Sequence, residues 1–135
     1  ADAQLRSGRD NDKIGLLYID LDDFKTVNDT HGHDTGDRIL IQAGQRLLAA
    51  TREEDMVCRL GGDEFAILCT DVEGEGSLSA LVRRLRSVPL ATGVVDGAPI
   101  AVQGSIGWIM LDPDEDLDHA LRRADAAMYL AKRGE

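Results

Sequence analysis

The 135-residue chain predicts an α/β fold in which an antiparallel-containing central sheet is covered by helices, with elements in the order βαββαβ. Three observations carry that expectation. Lys13 to Leu21 is apolar on both faces, as in a central strand covered from both sides. Val57 to Leu68 holds two short apolar runs about Gly61-Gly62, as two antiparallel strands joined by a tight hairpin would. Between and after them, apolar residues recur at helical spacing in three stretches.

Taken in order, residues 1–12 are polar and charged and predict a frayed or helical lead-in. The first strand runs into Asp20-Leu21-Asp22-Asp23-Phe24-Lys25. A buried strand fixes carboxylates at its end as metal ligands need to be fixed; the plainer reading is an Asp-rich strand-exit turn. From Phe24 to Asp37, two glycines and several polar residues predict a short helix and then a loop, with Asp34 capping the next helix and Asp37 in its first turn. Leu40, Ala43, Leu47 and Leu48 mark a helix from Arg38 to near Ala50. Residues 56–70 are the hairpin, and Glu73-Gly74-Glu75-Gly76 a loop. Leu78, Leu81, Val82 and Leu85 mark an amphipathic helix with Arg83, Arg84 and Arg86 outward, closed by Pro89. Leu90 to Asp96 and Ile100 to Leu111 read as strands joined through Gly97-Ala98-Pro99. Leu117, Ala120, Leu121, Ala124, Met128 and Ala131 mark a last helix whose stripe is core. Neither a repeat nor an interior linker is visible, so residues 1–135 are expected to form one domain.

Twenty-five acidic against fifteen basic side chains give a formal net charge of -10. That disfavours nucleic-acid partners and contact with anionic membranes. It does not disfavour a nucleotide, because a bound divalent ion reverses the local field. No apolar run approaches the roughly 18 residues of a membrane span. Cys58 and Cys69 fall in predicted strands and read as buried free thiols, suited to a reducing, cytoplasmic setting. Three histidines without a Cys and His cluster argue against zinc. At the hairpin tip, Gly61 and Gly62 permit positive φ and leave no side chain in a ligand's way. Asp63 and Glu64 then set two carboxylates beside bare backbone, which suits a metal carrying a phosphate chain. The alternative is an ordinary hairpin with a solvated acidic pair.

Arg59-Leu60-Gly61-Gly62-Asp63-Glu64-Phe65 resembles the signature of the GGDEF family, the diguanylate cyclases, which join two GTP into cyclic di-GMP. The likeness continues in the family's order. Tyr18 to Asp29 resembles its strand-end segment with the FKxxND motif, and Gly32 to Asp37 its GHxxGD motif. Val102 to Gly107 is similar to its late core strand, and Arg123 to Lys132 to its terminal helix. Nearly all of residues 14–133 is covered. Two departures look like truncation of a longer protein. The family's opening DxLTGLxNRR segment is absent, and the chain stops at Gly134-Glu135 before the Gly-Arg-Asn-like stretch whose Arg helps hold phosphates.

The resemblance implies a nucleotidyl-cyclase or palm-like sandwich and the synthesis of cyclic di-GMP from two GTP with release of pyrophosphate. By the same resemblance, Asp20 and Asp63 bind magnesium through carboxylate oxygens, and the backbone carbonyl of Leu21 is a further ligand. Two Mg2+ ions are implied, with Mn2+ as a substitute. Glu64 is a second metal ligand or the proton acceptor for the attacking 3′-hydroxyl, and its role is not separable from that of Asp63. Asn28 and Asp37 match the guanine-reading positions, where an Asp accepts from N1–H and the amino group and an Asn amide donates to O6 or N7. His33 either lines the same pocket or is an ordinary loop histidine. Phe24, Gly61 and Gly62 join the substrate-binding set, and Lys25 and Lys132 match phosphate contacts. Arg52 and Asp55 match an RxxD motif that binds the product and inhibits the enzyme; a charged helix-to-strand turn is the alternative. The implied partners are GTP, cyclic di-GMP as product and inhibitor, a second copy of the domain, and sensory or regulatory domains outside this chain, in a parent protein that could be membrane-anchored. Two rival readings are a catalytically silent GTP or cyclic di-GMP binding module regulating a partner domain, and a purely structural dimerisation domain.

Overall fold

Strand β1 (Lys13–Leu21) lies inside a four-stranded antiparallel sheet, and its alternation builds both cores. The computed structural model describes residues 13–134, so the expected lead-in over residues 1–12 lies outside the described residues. Helices α1 (Phe24–His31) and α2 (His33–Ala50) follow β1. The hairpin β2 (Met56–Gly61) and β3 (Glu64–Val72) leads to α3 (Glu75–Arg86). A second hairpin, β4 (Ala91–Val95) and β5 (Ala98–Val102), precedes β6 (Gly104–Met110) and α4 (Leu117–Arg133). The sheet order is β2-β3-β1-β6, and β4-β5 forms a separate two-stranded sheet.

Successive side chains of a strand point to opposite faces. Leu17, Ile19 and Leu21 therefore pack with Ile39, Ala43 and Leu47 of α2 and with Leu78, Leu81, Val82 and Leu85 of α3. Leu16 and Tyr18 pack on the other face with Ala66 and with Ala120, Ala124 and Met128 of α4. The sandwich thus has three layers, with α2 and α3 on one side of the sheet and α4 on the other. This is the α/β architecture the sequence predicts. No helix among the described residues is long and apolar enough to cross a membrane.

Several local expectations are corrected. Residues 33–37 are helical rather than a loop, because α2 begins at His33 directly after Gly32. Gly32 occupies the N-cap, so Asp34 lies in the first turn and caps nothing, and Asp37 lies beyond that turn. Glu75 and Gly76 belong to α3. The stretch Ile100 to Leu111 is not one strand: it breaks at Gln103, where the chain passes from the small sheet to the large one. The β4-β5 turn is Asp96-Gly97, both at positive φ, and Ala98 and Pro99 are already paired in β5. Leu48, expected in the core, is 62% exposed, while Ile39 takes its place. Cys69 is buried, and burial pushes its thiol up to about 12; Cys58 is only half-buried.

Candidate active site

The register of the two central strands assembles a cluster of acids. Asp20, near the end of β1, stands opposite Glu64, the first residue of β3. The Leu21 amide donates to the Asp63 carbonyl at 3.1 Å, which ties the turn to the end of β1. Gly61 (φ 149) and Gly62 (φ 50) both take positive φ, which explains the paired glycines at this turn. Arg59 closes the turn from below: its Nε and a terminal nitrogen donate to the Gly62 carbonyl at 3.0 and 2.8 Å. One ligand oxygen from each of Asp20, Asp63 and Glu64 lies within 4.8 Å of the other two.

Three carboxylates so close repel one another unless a cation or a proton intervenes. Burial, then the charge and hydrogen bonding of Asp20, push the Asp63 carboxyl above its ordinary value. Lys132 of α4, the helix on the Tyr18 face of the sheet, donates to Asp20 Oδ2 at 2.9 Å. That pair raises the Lys132 ammonium above its usual range. An all-oxygen, half-buried donor set suits a hard divalent ion such as Mg2+ or Mn2+. The residues present therefore fit the metal that the sequence implies.

The other predicted residues fall into three groups. Asn28 of α1 and His33 of α2 meet, with Asn28 Nδ2 and His33 Nδ1 3.1 Å apart. Gly36 lies against the Asn28 amide and the Phe24 ring, and a Cβ there would collide with Asn28 Oδ1. Asp37 is exposed one residue further along α2. Lys25 stands apart from the acids, in an exposed pair with Asp29 at 3.1 Å. Arg52 and Asp55 form a two-pronged pair, with a terminal nitrogen of Arg52 2.7 Å from Oδ1 and Nε 3.3 Å from Oδ2. The Asp55 side chain is 4% exposed and that of Arg52 44%, and the guanidinium also donates to the Thr70 carbonyl and pairs with Glu54 at 3.4 Å.

Three contacts at the site went unforeseen. Tyr18 Oη donates to Glu64 Oε1 at 2.9 Å. Ser105 Oγ, buried on β6, donates to Asp22 Oδ1 at 2.6 Å, and the Asp22 amide donates to the Gln103 carbonyl at 2.9 Å. Arg59 clamps Gly62 as described above. The sequence carried a signal for Tyr18: it shares strand parity with Asp20, and a buried phenol needs a partner. A groove of about 370 Å³ between α2 and the β4-β5 hairpin is walled by Arg38, Gln42, Thr92 and Val94 and includes none of the cluster's carboxylates.

The sequence model of the family described as "Diguanylate cyclase, GGDEF domain" matches residues 1–135. The chain belongs to this GGDEF family. It is 38% identical over 128 residues to the diguanylate cyclase DosC of Escherichia coli (strain K12), covering 94% of this chain and 28% of DosC. It is 37% identical over 130 residues to the cyclic di-GMP phosphodiesterase PdeR of the same organism, covering 93% of this chain and 19% of PdeR. Its fold matches the GGDEF domain of DgcB from Caulobacter crescentus, solved in complex with c-di-GMP, with a TM-score of 0.81 and 29% identity over 91% of this chain and 74% of that one. The chain thus spans less than a third of the length of each of these two curated relatives.

Proposed function

We propose that the chain is a diguanylate cyclase domain that binds one GTP and joins it to a second, held by another copy, to give cyclic di-GMP and two pyrophosphates. The observation that carries this reading is the convergence of Asp20, Asp63 and Glu64 at a glycine turn, with Lys132 beside them. Asp20, Asp63 and the Leu21 carbonyl would hold Mg2+, with Mn2+ as a substitute and a second ion shared with the phosphates. A bound ion would neutralise phosphate charge and make the attacking 3′-hydroxyl more acidic. Lys132 would exchange Asp20 for a phosphate oxygen. Asp63 or Glu64 would take the hydroxyl proton. Asn28 and Asp37 would read the guanine edge, with Phe24 and His33 beside them, Lys25 near the phosphates, and Gly61 and Gly62 admitting the phosphate chain closely. Closing the ring needs two such sites face to face, hence a homodimer.

The exposed face of Arg52, set by the buried Asp55, supports a product-binding and inhibitory site there. Sensory or regulatory domains elsewhere in the parent protein would set the pairing of two copies. The reading carries with it a cytoplasmic setting, which the free thiols suit. A second reading, a silent GTP or cyclic di-GMP module that regulates a partner domain, is favoured by the likeness to the phosphodiesterase PdeR. Pyrophosphate release from GTP in Mg2+, followed beside a calorimetric GTP titration, separates the two. Release is expected for the cyclase; GTP binding without release would favour the silent module.

A further inference from the structure

We propose that Tyr18 is a positioning residue for the acidic cluster, its phenol holding the Glu64 carboxylate so that Glu64, Asp20 and Asp63 converge on one divalent cation. The inference rests on the metal reading of the site given above. It adds a residue outside the glycine hairpin.

Parity comes first. Tyr18 and Asp20 are two residues apart on β1 and so share a face. Register comes next. Asp20 is paired with Glu64 and Tyr18 with Ala66, which makes Glu64 the diagonal cross-strand neighbour of Tyr18. That diagonal is within reach of a long aromatic side chain. The contact itself is a hydrogen bond of 2.9 Å from the phenol to Glu64 Oε1. The donor is held in place, because Tyr18 is only 9% exposed and clusters with Leu16, Ala66, Ala120, Ala124 and Met128. Glu64 is the opposite case, a long carboxylate at the first position after a glycine turn. Left to itself it would sample several rotamers. A carboxylate has two oxygens, so accepting from the phenol at one leaves the other for a cation. Carboxylates that ligate metals are commonly held by such an outer hydrogen bond.

Tyr18→Phe keeps the ring and removes the donor. With Mn2+ as the probe, followed by electron paramagnetic resonance, the variant is expected to bind roughly tenfold more weakly than the wild-type chain. Its thermal midpoint without metal should change little. In a Glu64→Gln background the same substitution should cause no further loss, because the two residues act through one contact. Equal Mn2+ affinity in Tyr18→Phe and wild type would overturn the inference, as would an undiminished loss in the Glu64→Gln background. A wild-type chain that binds no Mn2+ would overturn it together with the metal reading. Product formation from GTP is measured separately, so a chain that binds Mn2+ and makes no cyclic di-GMP defeats the cyclase reading alone.

Discussion

Asp63 stands where its own charge is unwelcome. Burial and the neighbouring Asp20 raise its folded-state pKa above the ordinary carboxylate value. A folded chain that takes up a proton more readily than the unfolded one loses stability as pH rises through that range. The penalty is absent below the ordinary carboxylate value and complete above the raised one. Asp63→Asn should therefore leave the metal-free melting temperature unchanged or higher, abolish turnover, and remove most of the stabilisation by Mg2+. Thermal melts with and without Mg2+, beside an activity assay, check all three. The residues proposed to read guanine make a different prediction. Asn28→Ala and Asp37→Ala should each weaken GTP far more than ATP, by roughly tenfold or more, because an unpaired polar group costs about 1–3 kcal/mol. Equal losses for both nucleotides in competition binding would reduce them to supports of the α1–α2 junction.

At the scale of elements, α4 matters because it carries Lys132 to Asp20, 112 residues earlier in the chain. Two features dock it. Gly107 lets β6 and α4 touch, since a Cβ there would strike the backbone of Met128 and Ala124. Glu115, just before α4, accepts from Arg123 Nε at 2.8 Å and from a terminal nitrogen at 2.7 Å. Arg123 holds the Glu115 carboxyl down at about 2. A depressed carboxylate contributes stability that is complete above its unfolded value, here 4.5, and is lost as pH falls toward about 2. Glu115→Gln should therefore lower the melting temperature at pH 7, and the deficit should shrink between those two values. Melting temperature against pH for both chains is the check.

How much of this was legible follows from how local each signal is. The β1 run, the Gly61-Gly62 turn and the Ala120, Ala124, Met128 spacing each declare themselves within a few residues, and the structure keeps all three. The break at Gln103 does not, because Ile100 to Leu111 is locally one apolar run. It arises from distant partners: Val102 accepts from the Leu90 amide in one sheet, and Gln103 from the Asp22 amide at the other. The helical start at His33 was missed because Gly32 read as the opening of a loop, whereas Gly36 donates back to its carbonyl and continues the turn. The acids Asp20, Asp63 and Glu64 were legible as residue types; the Tyr18 and Lys132 bonds to them needed the register.

At the scale of the whole molecule, the proposed reaction would require two copies to meet, and the -10 charge on each would oppose that encounter. Arg52 is the place where a bound product would act on that step. Arg52→Ala should weaken cyclic di-GMP by at least tenfold, since a charged donor contributes about 1.5–3 kcal/mol, while early turnover is unchanged. Calorimetry with cyclic di-GMP decides this, with a melt alongside because the substitution removes the guanidinium from the buried Asp55 and leaves it, among the described residues, only the backbone amide of residue 52. The most direct measurement for the whole account is chromatography of the products after the chain is mixed with GTP and Mg2+ at several chain concentrations. The account predicts cyclic di-GMP, formed at a rate that rises faster than the chain concentration, and none from Asp63→Asn. GTP recovered intact at every concentration, or cyclic di-GMP formed equally by Asp63→Asn, would contradict it.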